Sequence, residues 1–263
     1  MRLDLLLTAR GLADSRAKAQ AMIEGGAVYV NGRQATKAAQ ACDETDRITV
    51  EGEICPYVSR GGLKLEKALR EFGICPAGWV CSDSGASTGG FTDCLLQQGA
   101  AQVFAIDVGT GQLDPKIRRD PRVVVMEQTN LRDVTPEQIG RMLDFSVVDV
   151  SFISLQLVLP VIASLLKPAG QAVCLIKPQF EAGKANLNKK GVVRDAKVHV
   201  QVLRRILALA RELGFSVAAL TYSPVLGPEG NIEFLMHLTK TPSATPLPDP
   251  EAVVTLAHRM LKG

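Results

Sequence analysis

Metal-ligand spacing is absent from this 263-residue sequence. Its six cysteines, Cys42, Cys55, Cys75, Cys81, Cys94 and Cys174, form no C-x-x-C pair, and the three histidines lie far from them. That argues against a zinc ribbon or finger, and no metal is expected. At this length the scattered thiols also argue against a disulfide scaffold. They read as free cysteines of a reducing cytoplasm. Charge of one sign is lacking too: 30 Lys+Arg face 27 Asp+Glu, a net +3 with a pI near 8.5. Such a balance does not announce a nucleic-acid binder, so that case must rest on where the charges sit. Long apolar runs are missing. Asp4 and Arg10 leave only a five-residue apolar stretch near the start, shorter than a signal peptide needs. Val150 to Leu166 is uncharged, but Ser151, Ser154, Gln156, Pro160 and Ser164 interrupt it, and a membrane span needs about 20 mostly apolar residues. It reads as a strand end running into a core helix. What remains, 46% hydrophobic and 22% charged, is an ordinary globular composition without internal repeats. The length allows one large domain, or one large and one small.

The texture changes along the chain. Residues 1–50 read as a small α+β domain. Leu3, Leu6 and Leu7 share a helical face. Ser15 is placed to N-cap a second helix that Gly25-Gly26 would end. Asn31-Gly32 then signals a hairpin, because both turn residues need positive φ, and RITV at 47–50 supplies another strand. Residues 51–62, with a proline and three glycines, read as a linker. From 63 to 240, helix LKLEKALREFG leads into strands at 79–84, 102–108, 123–127, 145–150, 171–177, 215–222 and 231–239, with helices between most of them. Residues 199–214 form the clearest helix. This alternation implies a mostly parallel seven-stranded sheet in an α/β domain. The short loop SPVLGPEG forces the last strand antiparallel to its predecessor. Residues 241–263 form a Pro-rich tail and a short helix.

The loop DSGASTGGFTDCLL follows the first strand of the large domain. Gly85, Gly89 and Gly90 allow a tight turn and close backbone approach ahead of a helix starting near Phe91. Ser87 stands where a dinucleotide fingerprint needs its middle glycine, which argues against a nicotinamide dehydrogenase. Asp107 ends the next strand at a spacing suited to accepting hydrogen bonds from ribose hydroxyls. Asp83 adds a carboxylate for a cationic ligand group. Together these features resemble an S-adenosylmethionine site. The expected cofactor set is Asp83, Ser84, Gly85, Ala86, Ser87, Thr88, Gly89, Gly90, Phe91, Asp107, Val108 and Gln128.

Two polar residues interrupt apolar strands at the carboxyl edge, where open α/β sheets bind ligands: Asp149 and Lys177. Glu233 lies near the start of the reversed last strand, so it belongs to the same edge. Lys64 lies early in the helix before the first strand, and spacing alone does not bring it to the others. Taken singly, Lys64 or Glu233 reads as a surface ion pair. Taken together, two lysines and two carboxylates suit removal of a proton from a ribose hydroxyl during attack on a methyl sulfonium. Desolvation and a second cation favour the neutral amine such a step needs, while the carboxylates oppose it.

SRGGLKLEKAL, DSGASTGGFTDCLL, DVSFIS, LIKPQFE and GNIEFL, in this order, resemble the TlyA (hemolysin A) family. Its catalytic domain is similar to the FtsJ/RrmJ-type ribose methyltransferases. The resemblance implies a Rossmann-like methyltransferase fold with Lys64, Asp149, Lys177 and Glu233 as its catalytic tetrad. It also implies S-adenosyl-L-methionine as cofactor and a cytidine ribose 2′-hydroxyl of 16S and/or 23S ribosomal RNA as target. The family's hemolysin name raises a membrane-active rival, which the missing signal and span disfavour. An RNA-binding module with an inactive enzyme domain is the other rival, opposed by the intact tetrad.

The small domain is similar to the RNA-binding domain named after ribosomal protein S-four, on Arg2-Leu3-Asp4, Ser15-Arg16-Ala17 and GGAVYVNG. Residues 1–40 hold six basic and three acidic side chains, and residues 41–56 one basic and five acidic. Residues 177–205 hold eight basic against two acidic. Arg2, Arg10, Arg16 and Lys18 are expected to form one phosphate-binding face, and Lys184, Lys189, Lys190 and Arg194 a second beside Lys177. Arg60 is added from the linker. The expected partner is ribosomal RNA or a ribosomal subunit rather than a membrane, in the cytoplasm, with the chain as a monomer or a dimer.

Overall fold

The structure is a computed structural model that describes residues 1–13, 15–24, 26–50, 55–242 and 246–261. Gly25 of the expected helix stop, residues 51–54 of the linker and residues 243–245 of the tail lie outside the described residues. The chain divides into two compact units, Met1–Gly62 and Leu63–Gly263.

In the first unit, helices α1 (Leu3–Ala9) and α2 (Arg16–Glu24) precede strands β1 (Val28–Val30), β2 (Arg33–Gln34) and β3 (Ile48–Val50), ordered β2-β1-β3 and antiparallel. Leu3, Leu6 and Leu7 of α1 share a core with Met22 and Ile23 of α2 and Val28 and Val30 of β1. Burying such a cluster is what stabilises a unit of this size, at about 25 cal/mol per Å² of apolar surface. Ser15 Oγ accepts the Lys18 N–H at 3.2 Å, the N-cap expected of it. Asn31 and Gly32, at φ 52° and 77°, make the hairpin turn.

The second unit follows from helix α3 (Gly61–Phe72), which spans the boundary. Its elements are β4 (Val80–Ser84), α4 (Gly90–Gln97), β5 (Gln102–Ile106), α5 (Pro115–Arg118), β6 (Val123–Met126), α6 (Pro136–Ile139) and β7 (Leu143–Val148). Next come α7 (Leu155–Leu165), β8 (Leu166–Ile176), α8 (Pro178–Glu181), α9 (Ala196–Glu212), β9 (Ser216–Tyr222), β10 (Phe234–Thr239) and α10 (Pro250–Leu261). The seven strands run in the order β6-β5-β4-β7-β8-β10-β9. Strands β4 to β8 pair in parallel, and β10 is antiparallel to both of its neighbours.

Strand β8 starts at Leu166 rather than at Gln171. Lys167-Pro168-Ala169-Gly170 has the composition of a turn. Yet Leu166 pairs with Leu143, and the ladder shifts register before Phe145 meets Gln171. Helices α7, α9 and α10 bury Leu155, Leu159, Ile162, Leu203, Ile206 and Ala257 in one core with the sheet. Helix α7, read as the core helix in the uncharged segment, has 11 residues. Among the described residues, no helix is long and apolar enough to cross a membrane.

Two features of this topology position a site. The order turns around at β4, between β5 and β7, which opens a crevice beyond the carboxyl ends of the strands. The reversal of β10 pairs its first residue, Phe234, with the last residue of β8, Ile176. Glu233 and Lys177 are therefore neighbours at one sheet edge.

Candidate active site

The loop after β4 bends back on a backbone that tolerates no side chain at Gly85. A Cβ there would lie 2.5 Å from the Asp149 carbonyl oxygen, and φ is +87°. This approach joins the β4 and β7 ends, and the Asp149 N–H donates to the Ser84 carbonyl at 2.8 Å. Ser87, in the left-handed region at φ 48°, donates its N–H to Asp107 Oδ2 at 2.8 Å, and Gly109 N–H reaches Oδ1 at 2.7 Å. Two backbone donors thus fix the Asp107 carboxylate, and each of its oxygens keeps acceptor capacity.

A cavity of about 690 Å³ opens here, lined by Gly85, Ser87, Asp107 and Val108 from the β4 and β5 ends and by Asp149, Ser151 and Phe152 after β7. Thr129, Asn130 and Arg132 add a polar wall that sequence reading missed. Its size is that of a small-molecule site.

Not every expected cofactor residue reaches the cavity. Asp83 lies behind its wall, fully buried. Its Oδ2 accepts from Thr92 N at 2.8 Å and Thr92 Oγ1 at 2.6 Å, tying the first turn of α4 to β4. Burial pushes this carboxyl up to about 7, with the Asp149 charge adding and the Thr92 hydrogen bonds opposing. Ser84, Ala86, Gly90 and Phe91 are also buried. Gly89 packs on Leu113 and Ile117, and Thr88 accepts the Asp114 N–H. Gln128 N–H donates to the Gly109 carbonyl. These residues shape and support the loop.

The four polar residues of the sheet edge meet in one network. Lys177 Nζ lies 2.6 Å from Asp149 Oδ1. Lys64 Nζ, brought in by α3, lies 4.0 Å from Asp149 Oδ2 and 2.7 Å from Glu233 Oε2. The lysines are thus joined through Asp149, each beside a carboxylate, rather than set against one another as bare cations. Three supporting residues escaped the sequence reading. Ser151 Oγ accepts from Lys177 Nζ at 2.8 Å. Gln179 Nε2 donates to Glu233 Oε1 at 3.3 Å. Gly227 makes room for the buried Glu233, since a Cβ there would lie 2.2 Å from Oε1. Phe152, next to Ser151, is 90% exposed at φ 63° and packs on Phe180 with ring centroids 4.9 Å apart.

The expected phosphate-binding residues fare differently in the two units. Arg2 and Arg16 converge on Asp4, with Arg2 Nη2 and Arg16 Nε both 2.9 Å from Oδ2, and Gln20 joins them. The Arg2 guanidinium holds the Asp4 carboxyl well below the usual carboxylate range. Arg10 donates to the Asp46 and Glu44 carbonyls, and Lys18 to the Cys55 carbonyl. All four side chains of the expected phosphate-binding face thus have partners within the unit. In the second unit Lys184, Lys189, Lys190 and Arg194 are all exposed; Arg60, near the end of the first unit, is half-buried.

A mostly parallel sheet with one strand inserted in reverse, a glycine loop at its turning point and a cavity beside a Lys/Asp/Lys/Glu network define a Rossmann-like methyltransferase. The chain belongs to the FtsJ-like methyltransferase family, whose model matches residues 57–240, while residues 1–48 match the S4 domain. It is 45% identical over 238 residues to the 16S/23S rRNA (cytidine-2'-O)-methyltransferase TlyA of Mycobacterium tuberculosis (strain ATCC 25618 / H37Rv), covering 90% of this chain and 89% of that one. It is 44% identical over 238 residues to Hemolysin A of Brachyspira hyodysenteriae, covering 90% of this chain and 99% of that one. A solved structure from Streptococcus thermophilus, also named a hemolysin, matches with TM-score 0.80 at 44% identity over 100% of this chain and 97% of that one.

Proposed function

We propose that the chain is an S-adenosylmethionine-dependent methyltransferase acting in the cytoplasm on a cytidine ribose 2′-hydroxyl of 16S and/or 23S ribosomal RNA. One observation carries the reading: Asp149 is at once a wall of the cavity and the link between Lys64 and Lys177. A ligand in the cavity is thereby adjacent to a proton-handling network.

The cavity fits the cofactor. The fixed Asp107 carboxylate suits ribose hydroxyls, and the bare backbone at Gly85 with the α4 N-terminus behind it suits a polar ligand. Asp83 Oδ1, buried with no hydrogen-bond partner, leaves one unmatched polar atom under the loop. When bound, S-adenosylmethionine supplies a methyl group on a positively charged sulfur.

The chain's own residues handle the acceptor. Lys177, in its amine form, takes the proton of the ribose hydroxyl as the oxygen–methyl bond forms. Asp149 holds that amine and stabilises the ammonium it becomes. Glu233 holds Lys64, whose Nζ lies 4.0 Å from the other oxygen of Asp149. Phe152, an exposed aromatic at the cavity rim, offers a stacking surface for an unpaired base. The S4 unit and the basic loop at 184–194 would position the RNA.

Transfer of labelled methyl from S-adenosylmethionine to ribosomal subunits that lack the modification tests the reading. Lys177→Ala is expected to lower the rate by roughly 10²- to 10⁴-fold, the range of general acid–base catalysis, and to leave cofactor binding intact. Full activity in that variant would remove Lys177 from the role.

A further inference from the structure

Ser151 is the one residue beyond Asp149 that both lines the cavity and touches a network lysine through its side chain, among the described residues. Its place is held from both sides. Asp149 N–H is bonded to Ser84, and Ser154 Oγ donates to Glu181 Oε2 at 2.9 Å. Between these anchors, Phe152 turns the chain in the left-handed region, a conformation that persists in an aromatic residue only where the surroundings impose it.

Among the described residues, Lys177 Nζ has two polar neighbours, the Asp149 carboxylate at 2.6 Å and Ser151 Oγ at 2.8 Å. A neutral primary amine has two N–H groups and one lone pair. Ser151 Oγ takes the hydrogen bond of this amine, while Asp149 Oδ1 is in ion-pair contact without being its hydrogen-bond acceptor, so the Ser151 hydroxyl is what turns the lone pair away from itself. A lysine on its four-carbon stem keeps rotamer freedom that contact with a single carboxylate does not remove. A second, neutral acceptor fixes the direction of the amine without adding charge.

We propose that Ser151 is a positioning residue for methyl transfer, whose hydroxyl aims the Lys177 lone pair at the acceptor oxygen. The proposal rests on the reading of Lys177 as proton acceptor.

The test compares Ser151→Ala and Ser151→Thr with the full-length wild type, reading kcat and KM on unmodified ribosomal subunits and Kd for S-adenosylmethionine. Ser151→Ala is expected to lose roughly 10- to 100-fold in kcat, the scale of a misaligned reacting group. Its KM and Kd should stay within about twofold of wild type, since the Ser151 hydroxyl is bonded to Lys177. Ser151→Thr, which keeps a hydroxyl on the same carbon, should recover most of the rate. A Ser151→Ala kcat close to wild type overturns the proposal and leaves the Lys177 reading standing. So does a defect confined to KM or Kd, or a threonine variant as slow as the alanine one. A wild type that methylates no RNA while binding the cofactor overturns both.

Discussion

The two oxygens of Asp83 meet different surroundings. Oδ2 accepts an N–H and an O–H from Thr92, while Oδ1 is buried without a hydrogen-bond partner. Burial raises the carboxyl to about 7, above the 3.8 of a free side chain. Between these values the folded protein holds more protons than the unfolded chain. Stability from this group is therefore full below pH 4 and is lost as pH rises to 7. Asp83→Asn keeps an acceptor for Thr92 and cannot ionise. From pH 5 to pH 8 the variant should gain on the wild type by roughly 2–3 kcal/mol, at 1.36 kcal/mol per pH unit. Urea unfolding of both proteins at the two pH values measures this, and parallel profiles would mean that Asp83 stays charged in the fold. Glu233, also buried, has a partner on each oxygen, Lys64 on one and Gln179 on the other. Gly227→Ala presses a methyl into that pair. It is expected to lower the methylation rate at least tenfold by displacing Glu233 while leaving cofactor affinity near wild type. An unchanged rate in Gly227→Ala would show that Glu233 can shift without consequence.

Elements were legible where their signals are local. The Asn31-Gly32 turn, the Ser15 cap, the glycine loop after β4 and the reversed β10 each depend on a few adjacent residues. So did the strand-end placement of Asp149 and Lys177, because a charged residue closing an apolar run is visible in one dimension. Lys64 was placed by resemblance alone, since its partner Glu233 is 169 positions away. Ser151, Gln179 and Gly227 were missed because a serine, an amide and a loop glycine acquire a role only from what folding brings beside them. The ion pairs of Arg2 and Arg16 were not legible for the same reason: no spacing shows two guanidinium groups folding onto Asp4. Glu181, quoted only as part of a motif, turns out to join three helices. Its Oε1 accepts the Leu155 N–H at the start of α7, Oε2 accepts from Ser154, and Arg205 of α9 reaches both its carbonyl and Oε2. Glu181→Ala leaves the buried Leu155 donor unmatched, at a cost of about 1–3 kcal/mol. For a domain of this size each kcal/mol shifts Tm by about 2–4 °C, so a fall of several degrees is expected in calorimetry. A Tm equal to wild type would mean that Ser154 caps α7 without help.

At the scale of the whole molecule, a net charge of +3 conceals an uneven distribution. In the first unit the basic side chains are partly matched internally, Arg2 and Arg16 by Asp4. In the second unit Lys184, Lys189 and Lys190 stand exposed on a loop that the fold holds in place. Asn188 Oδ1 accepts the N–H groups of Lys190 and Val192, and the buried Val192 and Val193 anchor the return. Asn231 then accepts from Val193 N–H and donates to the Gly191 carbonyl, two residues before Glu233. If the proposed function holds, this cationic loop would hold an RNA backbone while its ribose is modified. Replacing the three lysines by glutamine should therefore raise KM for RNA and leave cofactor Kd unchanged, with kcat at saturating RNA within about twofold of wild type, because groups that bind phosphate position the substrate without entering the chemistry. The decisive readout is ionic strength. Each lysine withdrawn from a phosphate should reduce the slope of log affinity against log salt by about one, so the triple variant should show a slope shallower by up to about three units. A slope equal to wild type would make these lysines an ordinary solvated surface and move the RNA-binding face elsewhere. The same substitution at Arg16 should have the smaller effect, because its charge is already answered by Asp4.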